Sequence, residues 1–229
     1  MRRLFIYVMS CLWLAGCTTG DARNTDGKMP DGEGNKVSST KERVIVADKK
    51  FAPSLFVSWV QDLDNGLKQE KGMDNLIYSA QYKPWGYVIC QEQKSETIPD
   101  TTFKRRKSEL DGMQYIDLKI ELKDGSGELL KYDLHSRKEY EDRVNYFAFG
   151  MQNDIRLVQG GDTLPCQLFH FERVYDVAPY ATFLLAFPLG KDYSSDKTLV
   201  LFDHGFNKGI LKFFFDGRDI KNVPQVETQ

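Results

Sequence analysis

"QYIDLKIELK", residues 114–123, carries the clearest secondary-structure pattern of the chain. Charged and apolar residues alternate along it, and the apolar ones are Ile116, Leu118, Ile120 and Leu122. A period of two places the apolar side chains on one face of a β-strand and the charged side chains on the other. The stretch therefore predicts a strand with one buried face and one face in water, as is typical of antiparallel sheets.

Two further elements are predicted directly after this strand. The turn sequence "DGSG", residues 124–127, predicts a hairpin whose second strand covers residues 128–134. Ser136 and Glu139 match a capping box and predict the start of a helix. Apolar residues then recur at helical spacing, at Tyr140, Val144, Phe147 and Met151. This stripe predicts that the helix packs on the sheet.

From about residue 153 onward the sequence is β-rich. Short apolar runs alternate with turn residues, and the runs cover residues 155–158, 166–175, 180–187, 198–202 and 210–215. Five short strands at this spacing predict an antiparallel sandwich.

The first half of the body mixes strand and helix signals. Residues 75–82 predict a strand, and residues 85–93 and 100–110 predict two short helices, the second beginning after Pro99. Residues 54–60 fit either a helix or a strand.

These elements predict one α+β, β-rich domain over residues 49–223. We expect an antiparallel sheet or sandwich in its C-terminal half, with a few helices packed on it from the N-terminal half. A hydrophobic fraction of 41% is ample for one packed core.

The N-terminus predicts export from the cytoplasm. Residues 1–16 form a secretory signal peptide, because Arg2 and Arg3 precede an apolar run, residues 4–14, that is shorter than a membrane span of about 20 residues. Residues 17–48 contain glycines and a proline among polar residues and few apolar ones. Such a composition predicts a flexible linker, which reaches about 100 Å when fully extended.

The sequence "LAGC", residues 14–17, resembles the lipobox of bacterial lipoproteins. The resemblance implies that Cys17 carries diacylglycerol on its thiol, that the signal is cut before it, and that its amino group is acylated. Each buried CH₂ of such chains contributes about 0.8 kcal/mol to membrane binding. Thr18 follows the cysteine, which by resemblance to enterobacterial lipoproteins favours the outer membrane. The alternatives are a plain signal peptide or an N-terminal anchor that ends on a chance cysteine.

Three segments of the body resemble uncharacterised lipoproteins of Bacteroidota-type bacteria. They are "YKPWGY" (82–87), "GGDTLPC" (160–166) and "HFERVYDVAPYATFLLAF" (170–187). The resemblance supports a place in the cell envelope and implies no activity.

No catalytic, metal or cofactor site is predicted. The chain has 3 histidines, which lie on different predicted elements without a second histidine or cysteine at zinc-ligand spacing. Residues 194–197 match S-x-x-K, but the S-D-N and K-T-G partners and a G-x-S-x-G elbow are missing. We therefore predict that the protein is not an enzyme.

Two of the 4 cysteines, Cys90 and Cys166, belong to the exported body. The sequence leaves two alternatives open for them. In an oxidising compartment they form a disulfide, which would stabilise by about 4 kcal/mol in the chain-entropy model. Alternatively, each is a buried free thiol that behaves as a small hydrophobic side chain.

Charge and loop composition suggest where the body makes contacts. The net charge is −2 and the signs are interspersed, which argues against nucleic acid as a partner. Tyr193 lies in a polar loop, residues 190–197. The only basic run is Lys104, Arg105, Arg106 and Lys107. These five residues are the predicted contact surface, with a solvated helix face as the alternative for the basic run.

Two functions remain open on this basis. The first is a lipid-tethered, non-enzymatic protein-interaction or structural module, whose partner is another envelope protein. The second is a surface glycan-binding lipoprotein, for which the stacking candidates are Trp59, Trp85, Tyr87 and Tyr193. An exposed row of coplanar rings would favour the glycan, and an apolar patch with a polar rim would favour the protein partner.

Overall fold

The computed structural model describes residues 44–172 and 178–229, which form one compact unit. The predicted signal peptide, the predicted lipid attachment site Cys17 and most of the predicted linker lie outside the described residues. Within the described part of the chain, no helix is both long and apolar enough to cross a membrane.

Five α-helices and eleven β-strands occur in the described residues. The helices are α1 (Pro53–Gln61), α2 (Trp85–Gln93), α3 (Asp100–Leu110), α4 (Arg137–Asn145) and α5 (Gly217–Lys221). The strands are β1 (Lys50–Phe51), β2 (Lys68–Met73), β3 (Leu76–Lys83), β4 (Met113–Leu122), β5 (Ile155–Gln159), β6 (Asp162–Pro165), β7 (Leu168–Glu172), β8 (Tyr180–Pro188), β9 (Lys197–Asp203), β10 (Gly209–Phe215) and β11 (Gln225–Val226).

Most of the strands form two antiparallel sheets. The five-stranded sheet has the order β2-β3-β4-β8-β7, and the four-stranded sheet has the order β10-β9-β5-β6. Strands β1 and β11 pair in parallel as a separate ribbon. The predicted α+β, β-rich class is confirmed, and the larger sheet also takes β2, β3 and β4 from the N-terminal half.

The inner faces of the two sheets pack on each other. The Tyr78 hydroxyl on β3 donates to the Asp203 carboxylate on β9 at 2.7 Å. The rings of Tyr82 on β3 and Phe215 on β10 lie 5.9 Å apart between centroids. The buried apolar side chains of both sheets belong to one continuous core, so the molecule is a sandwich.

The predicted strand over residues 114–123 is confirmed as β4, which lies between β3 and β8 in the larger sheet. Ile116, Leu118 and Ile120 are fully buried, while the residues between them are half-buried. The alternation of the sequence therefore corresponds to an inner, dry face and an outer face with polar side chains.

The predicted strand over residues 128–134 is wrong. The chain forms a 3-10 turn there, Leu129–Lys131, and both Leu129 and Leu130 are buried. The two leucines are buried by this turn and not by strand pairing, since a short apolar run can be buried in either way.

The predictions for the helices agree better with the structure. Helices α2 and α3 have the predicted bounds, and the ambiguous residues 54–60 lie in α1. Helix α4 begins after Ser136, whose hydroxyl accepts from the backbone N–H of Glu139 at 3.2 Å, as the capping box predicts. Of the predicted stripe, Phe147 and Met151 are fully buried in the core, although α4 ends at Asn145 and these two residues lie in the π and 3-10 turns that follow it.

The C-terminal residues join the first helices to the body. The backbone N–H of Gln225 donates to the carbonyl of Lys49 at 2.9 Å, and that of Gln229 donates to the carbonyl of Ile98 at 3.0 Å. The N–H of Asp100 donates in turn to the carbonyl of Gln229 at 2.7 Å. The last residues therefore lie between the start of the body and the start of α3.

Candidate interaction groove

Tyr193 and helix α3, which the sequence indicated as separate contact elements, line the same groove. The groove encloses about 570 Å³. Its apolar lining comes from α1, α2, α5 and the C-terminal segment, namely Phe56, Trp85, Ile220, Val223 and Val226. Lys50, Lys104 and Lys107 line its edge and are exposed. We call this site the interaction groove.

An aromatic pair closes one side of the interaction groove. The rings of Trp85 and Tyr193 stack with their centroids 5.2 Å apart and their planes at 24°. The Lys107 ammonium lies 5.0 Å from the centroid of the same indole ring. The rings therefore contact each other and a cation, and do not form an exposed coplanar row. The Trp85 indole N–H is buried and has no hydrogen-bond partner among the described residues.

A buried lysine supports the loop that carries Tyr193. Lys197 is 0% exposed, and its ammonium donates to the carbonyl oxygens of Tyr193 at 2.6 Å and Ser195 at 3.2 Å. It also lies 5.4 Å from the Tyr193 ring and 5.8 Å from the Tyr82 ring. Burial lowers the pKa of Lys197 to about 8, although nearby aspartates partly oppose this shift.

The rest of the loop is held against the sandwich by polar contacts. The Asp196 carboxylate accepts from the backbone N–H of Gly217 at 2.8 Å. The Gln159 side-chain amide donates to the carbonyl of Asp192 at 2.5 Å. Burial raises the pKa of Tyr193, so its phenol stays protonated at neutral pH. Tyr193 is therefore presented to the groove by a loop with fixed backbone contacts.

Helix α3 divides its basic run between two surfaces. Lys104 and Lys107 face the interaction groove. Arg105 forms an ion pair with Glu109 at 2.7 Å, and Arg106 pairs with Glu92 of α2 at 2.7 Å. The structure thus brings Tyr193, Lys104 and Lys107 together. Arg105 and Arg106 do not line the groove.

Lys197 is the supporting residue that sequence reasoning missed. From the sequence, Lys197 belongs to the polar loop over residues 190–197 and to an S-x-x-K match. The alternation of β9 indicates its burial, because Lys197 lies two residues before Leu199 and four before Leu201, on the same buried face of the strand.

Cys90 and Cys166 are both buried free thiols. The disulfide that the sequence left open is therefore not formed in the structure, and the second alternative describes both residues. Burial raises the pKa of each thiol to about 11, which keeps both protonated and poorly reactive. The Cys166 thiol donates to the carbonyl of Leu168 at 3.1 Å.

The motif fragments that resemble catalytic groups do not assemble into a site. His204 pairs with Asp154 at 3.0 Å and not with its neighbour in sequence, Asp203. The Ser194 hydroxyl donates to the Asp192 carboxylate at 2.9 Å, whereas the ammonium of Lys197 bonds to carbonyl oxygens. Across residues 44–172 and 178–229, no three His, Cys, Asp or Glu side chains are grouped to hold a metal ion.

Comparisons with protein-family models, with curated proteins and with solved structures find no match to this chain. The interaction groove is therefore interpreted from its own chemistry. That chemistry is an apolar floor, a stacked aromatic pair and lysines along the edge.

Proposed function

We propose that the protein is a non-enzymatic interaction module of the cell envelope, and that the interaction groove binds a segment of another envelope protein. The observation that carries this proposal is the meeting of Tyr193 with Lys104 and Lys107 in one groove. Each was indicated from sequence as a contact element, and they come from different parts of the chain. An apolar floor with a polar edge is the usual composition of a protein-binding surface.

The chemistry of the groove indicates what its occupant carries. The floor suits one or two large apolar side chains, since about 570 Å³ lies within the usual size of a binding pocket. At the edge, Lys104 already pairs with Asp100 at 3.1 Å. Lys107 has no carboxylate partner among the described residues. An acidic residue beside the apolar side chains of the partner would complement it.

A cross-linking experiment tests this assignment. Phe103 lines the groove and is half-buried, and replacing it by benzoylphenylalanine exchanges one aromatic ring for another. The matched control is Phe214, which is 50% exposed on β10 and does not line the groove. Illumination of intact cells is expected to yield an adduct with a discrete envelope protein from position 103 and not from position 214. Adducts from position 214 alone, or from neither, would contradict the proposal.

The anchor is proposed on the lipobox resemblance at residues 14–17. Acylated Cys17 would hold the module on a membrane, with the outer membrane favoured by Thr18. A fatty-acid analogue should label the wild-type chain, and Cys17→Ser should lose both the label and membrane fractionation. Persistent labelling of the variant would contradict the anchor without bearing on the groove.

A further inference from the structure

A second groove lies on the outer face of the five-stranded sheet, apart from the interaction groove. It encloses about 410 Å³ over β2, β3, β4 and β8, with the end of α1 and Tyr87 of α2 as one wall. Ser79 and Gln81 in its lining are buried polar side chains, 6% and 9% exposed. Antiparallel sheets often leave one face in water, but here the helices turn that face into a polar cleft. We call this site the sheet groove.

The charges of the sheet groove neutralise one another. Lys83 pairs with Asp117 at 2.8 Å, and only 12% and 25% of these two side chains are exposed. Two more pairs, Lys68 with Glu70 and Lys119 with Glu121, lie along the same face. An incoming anion or cation would have to compete with a pair that already exists. The site therefore suits a ligand without net charge.

Two side chains that line the sheet groove, Asp117 and Tyr87, can form further hydrogen bonds. One carboxylate oxygen of Asp117 pairs with Lys83, and the other has no partner among the described residues. The Tyr87 hydroxyl accepts from the side-chain amides of Gln61 at 2.8 Å and Gln91 at 2.9 Å, which leaves its own proton to donate.

The poor hydration of the cleft strengthens this argument. Burial raises the pKa of Asp117 above its ordinary value, even though Lys83 opposes the shift. A carboxylate in such surroundings gains more from a new hydrogen-bond donor than an exposed one does. Burial likewise raises the pKa of Tyr87, so that its phenol keeps the proton it would donate.

We propose that the sheet groove binds a neutral saccharide. A sugar hydroxyl both donates and accepts, so that adjacent hydroxyls can give a proton to Asp117 and accept one from Tyr87, both of which line the groove. Thr182, across the sheet from Lys119, adds a hydroxyl to the same face. This inference uses none of the residues of the interaction groove and does not depend on the proposed function. It gives the glycan-binding alternative a site other than the stacked Trp85 and Tyr193 rings.

Binding to immobilised oligosaccharides tests the proposal. The full chain, in a detergent without a sugar headgroup, would be passed over maltohexaose, cellohexaose, xylohexaose and mannohexaose, with a hyaluronan hexasaccharide as the anionic probe. At least one neutral probe is expected to bind. Asp117→Asn and Thr182→Val should each weaken that binding by about tenfold, the effect of one good hydrogen bond.

Matched controls use the same changes outside the groove. Asp74→Asn removes a carboxylate from the exposed pair with Lys208, and Thr198→Val changes a threonine on β9. Both should bind like the wild type. Thr182→Val only exchanges a hydroxyl for a methyl group, so it decides the outcome if Asp117→Asn disturbs folding.

Three results would overturn the assignment. The first is that no neutral probe binds at millimolar concentration. The second is binding that Asp117→Asn and Thr182→Val leave unchanged. The third is tighter binding of hyaluronan than of every neutral probe, because the lysines would then be acting as an anion site.

Discussion

Strand β9 begins and ends on a buried charge, and the two ends are held in opposite ways. At its end, Asp203 is 2% exposed and accepts from the Tyr78 hydroxyl at 2.7 Å and from three backbone N–H groups at 3.1 to 3.2 Å. At its start, Lys197 is 0% exposed and donates to two carbonyl oxygens beside two tyrosine rings. The carboxylate is surrounded by donors, whereas none of the described contacts of the ammonium is a carboxylate.

This difference in hydrogen-bond partners distinguishes the turn after Asp203, which has a structural role, from the loop before Lys197, which presents the side chain of Tyr193. Four donors to Asp203 fix the chain between β9 and β10, where we assign no ligand. Lys197 keeps its charge at a cost, as the lowered pKa shows, and supports the loop of Tyr193 at the interaction groove. Costly buried charges are concentrated at functional sites, which is a reason to assign the groove and not the turn.

The largest effect is expected at the turn. Asp203→Ala would leave four buried or half-buried donors without their acceptor and should lower the free energy of unfolding by about 4 kcal/mol. Tyr78→Phe removes one of those donors and should cost about 1 kcal/mol. Urea denaturation measures both. A loss below about 1 kcal/mol for Asp203→Ala would show that the carboxylate does not hold the turn.

The next largest effect is the pH dependence of stability that we expect from Lys197 at the start of β9. The pKa of Lys197 is about 8 in the folded protein and 10.5 ordinarily, so between these values only the unfolded chain holds the proton. Its contribution to stability therefore rises with pH, by about 2 kcal/mol between pH 7 and pH 9.5. Lys197→Met should lack this rise in urea denaturation.

Two buried thiols also make the stability depend on pH, so the wild type has to be compared with Lys197→Met. Burial raises the pKa of Cys90 and Cys166 to about 11, so the folded chain keeps protons that the unfolded chain loses above pH 9. They lower stability as pH rises and act in the opposite direction to Lys197. Both proteins contain them, and the difference between the two pH profiles isolates the lysine. Identical profiles would contradict a charged Lys197 in the core.

A smaller effect is expected where the loop packs on α5. A Cβ at Gly217 would meet the carbonyl oxygen of Ser194 and backbone atoms of Ser195 and Asp196 at 3.0 and 3.1 Å. Gly217→Ala should therefore displace the loop, cost about 1 to 2 kcal/mol and change the fluorescence of Trp85. Gly125→Ala is the control, because its φ of 64° makes it strained while nothing lies within 4 Å. Gly125→Ala should lower stability and leave the fluorescence of Trp85 unchanged. Equal fluorescence spectra for the two variants would contradict the packing of the loop on α5.

An element can be predicted from the sequence when its side-chain pattern or a flanking proline marks it. Helices α2 and α3 and strand β4 were predicted because prolines and alternation mark them. Strand β2 was missed, since "KQEKGM" has no apolar alternation and pairs with β3 at the edge of the sheet through its backbone. Residues 128–134 were predicted wrongly, because two adjacent leucines after a glycine turn fit a strand or a buried 3-10 turn equally well.

The interaction groove could be predicted only in parts. Tyr193 and the basic run were indicated by their types and their polar neighbours. Lys104 and Lys107 line the same groove as Trp85 and Tyr193, while Arg105 and Arg106 pair with glutamates, and this division follows from the rotation and packing of α3. Those long-range contacts leave no mark on a single sequence.

Charge reversal on helix α3 tests whether the interaction groove is the contact surface. The measurement is the yield of the adduct formed at position 103, compared between Lys107→Glu and Arg105→Glu. Both variants change the charge of one exposed helix by the same amount, but only Lys107 lines the groove. We expect about a tenfold loss for Lys107→Glu and a change within about twofold for Arg105→Glu. Equal losses, or no loss in either variant, would contradict the assignment of the groove as the contact surface.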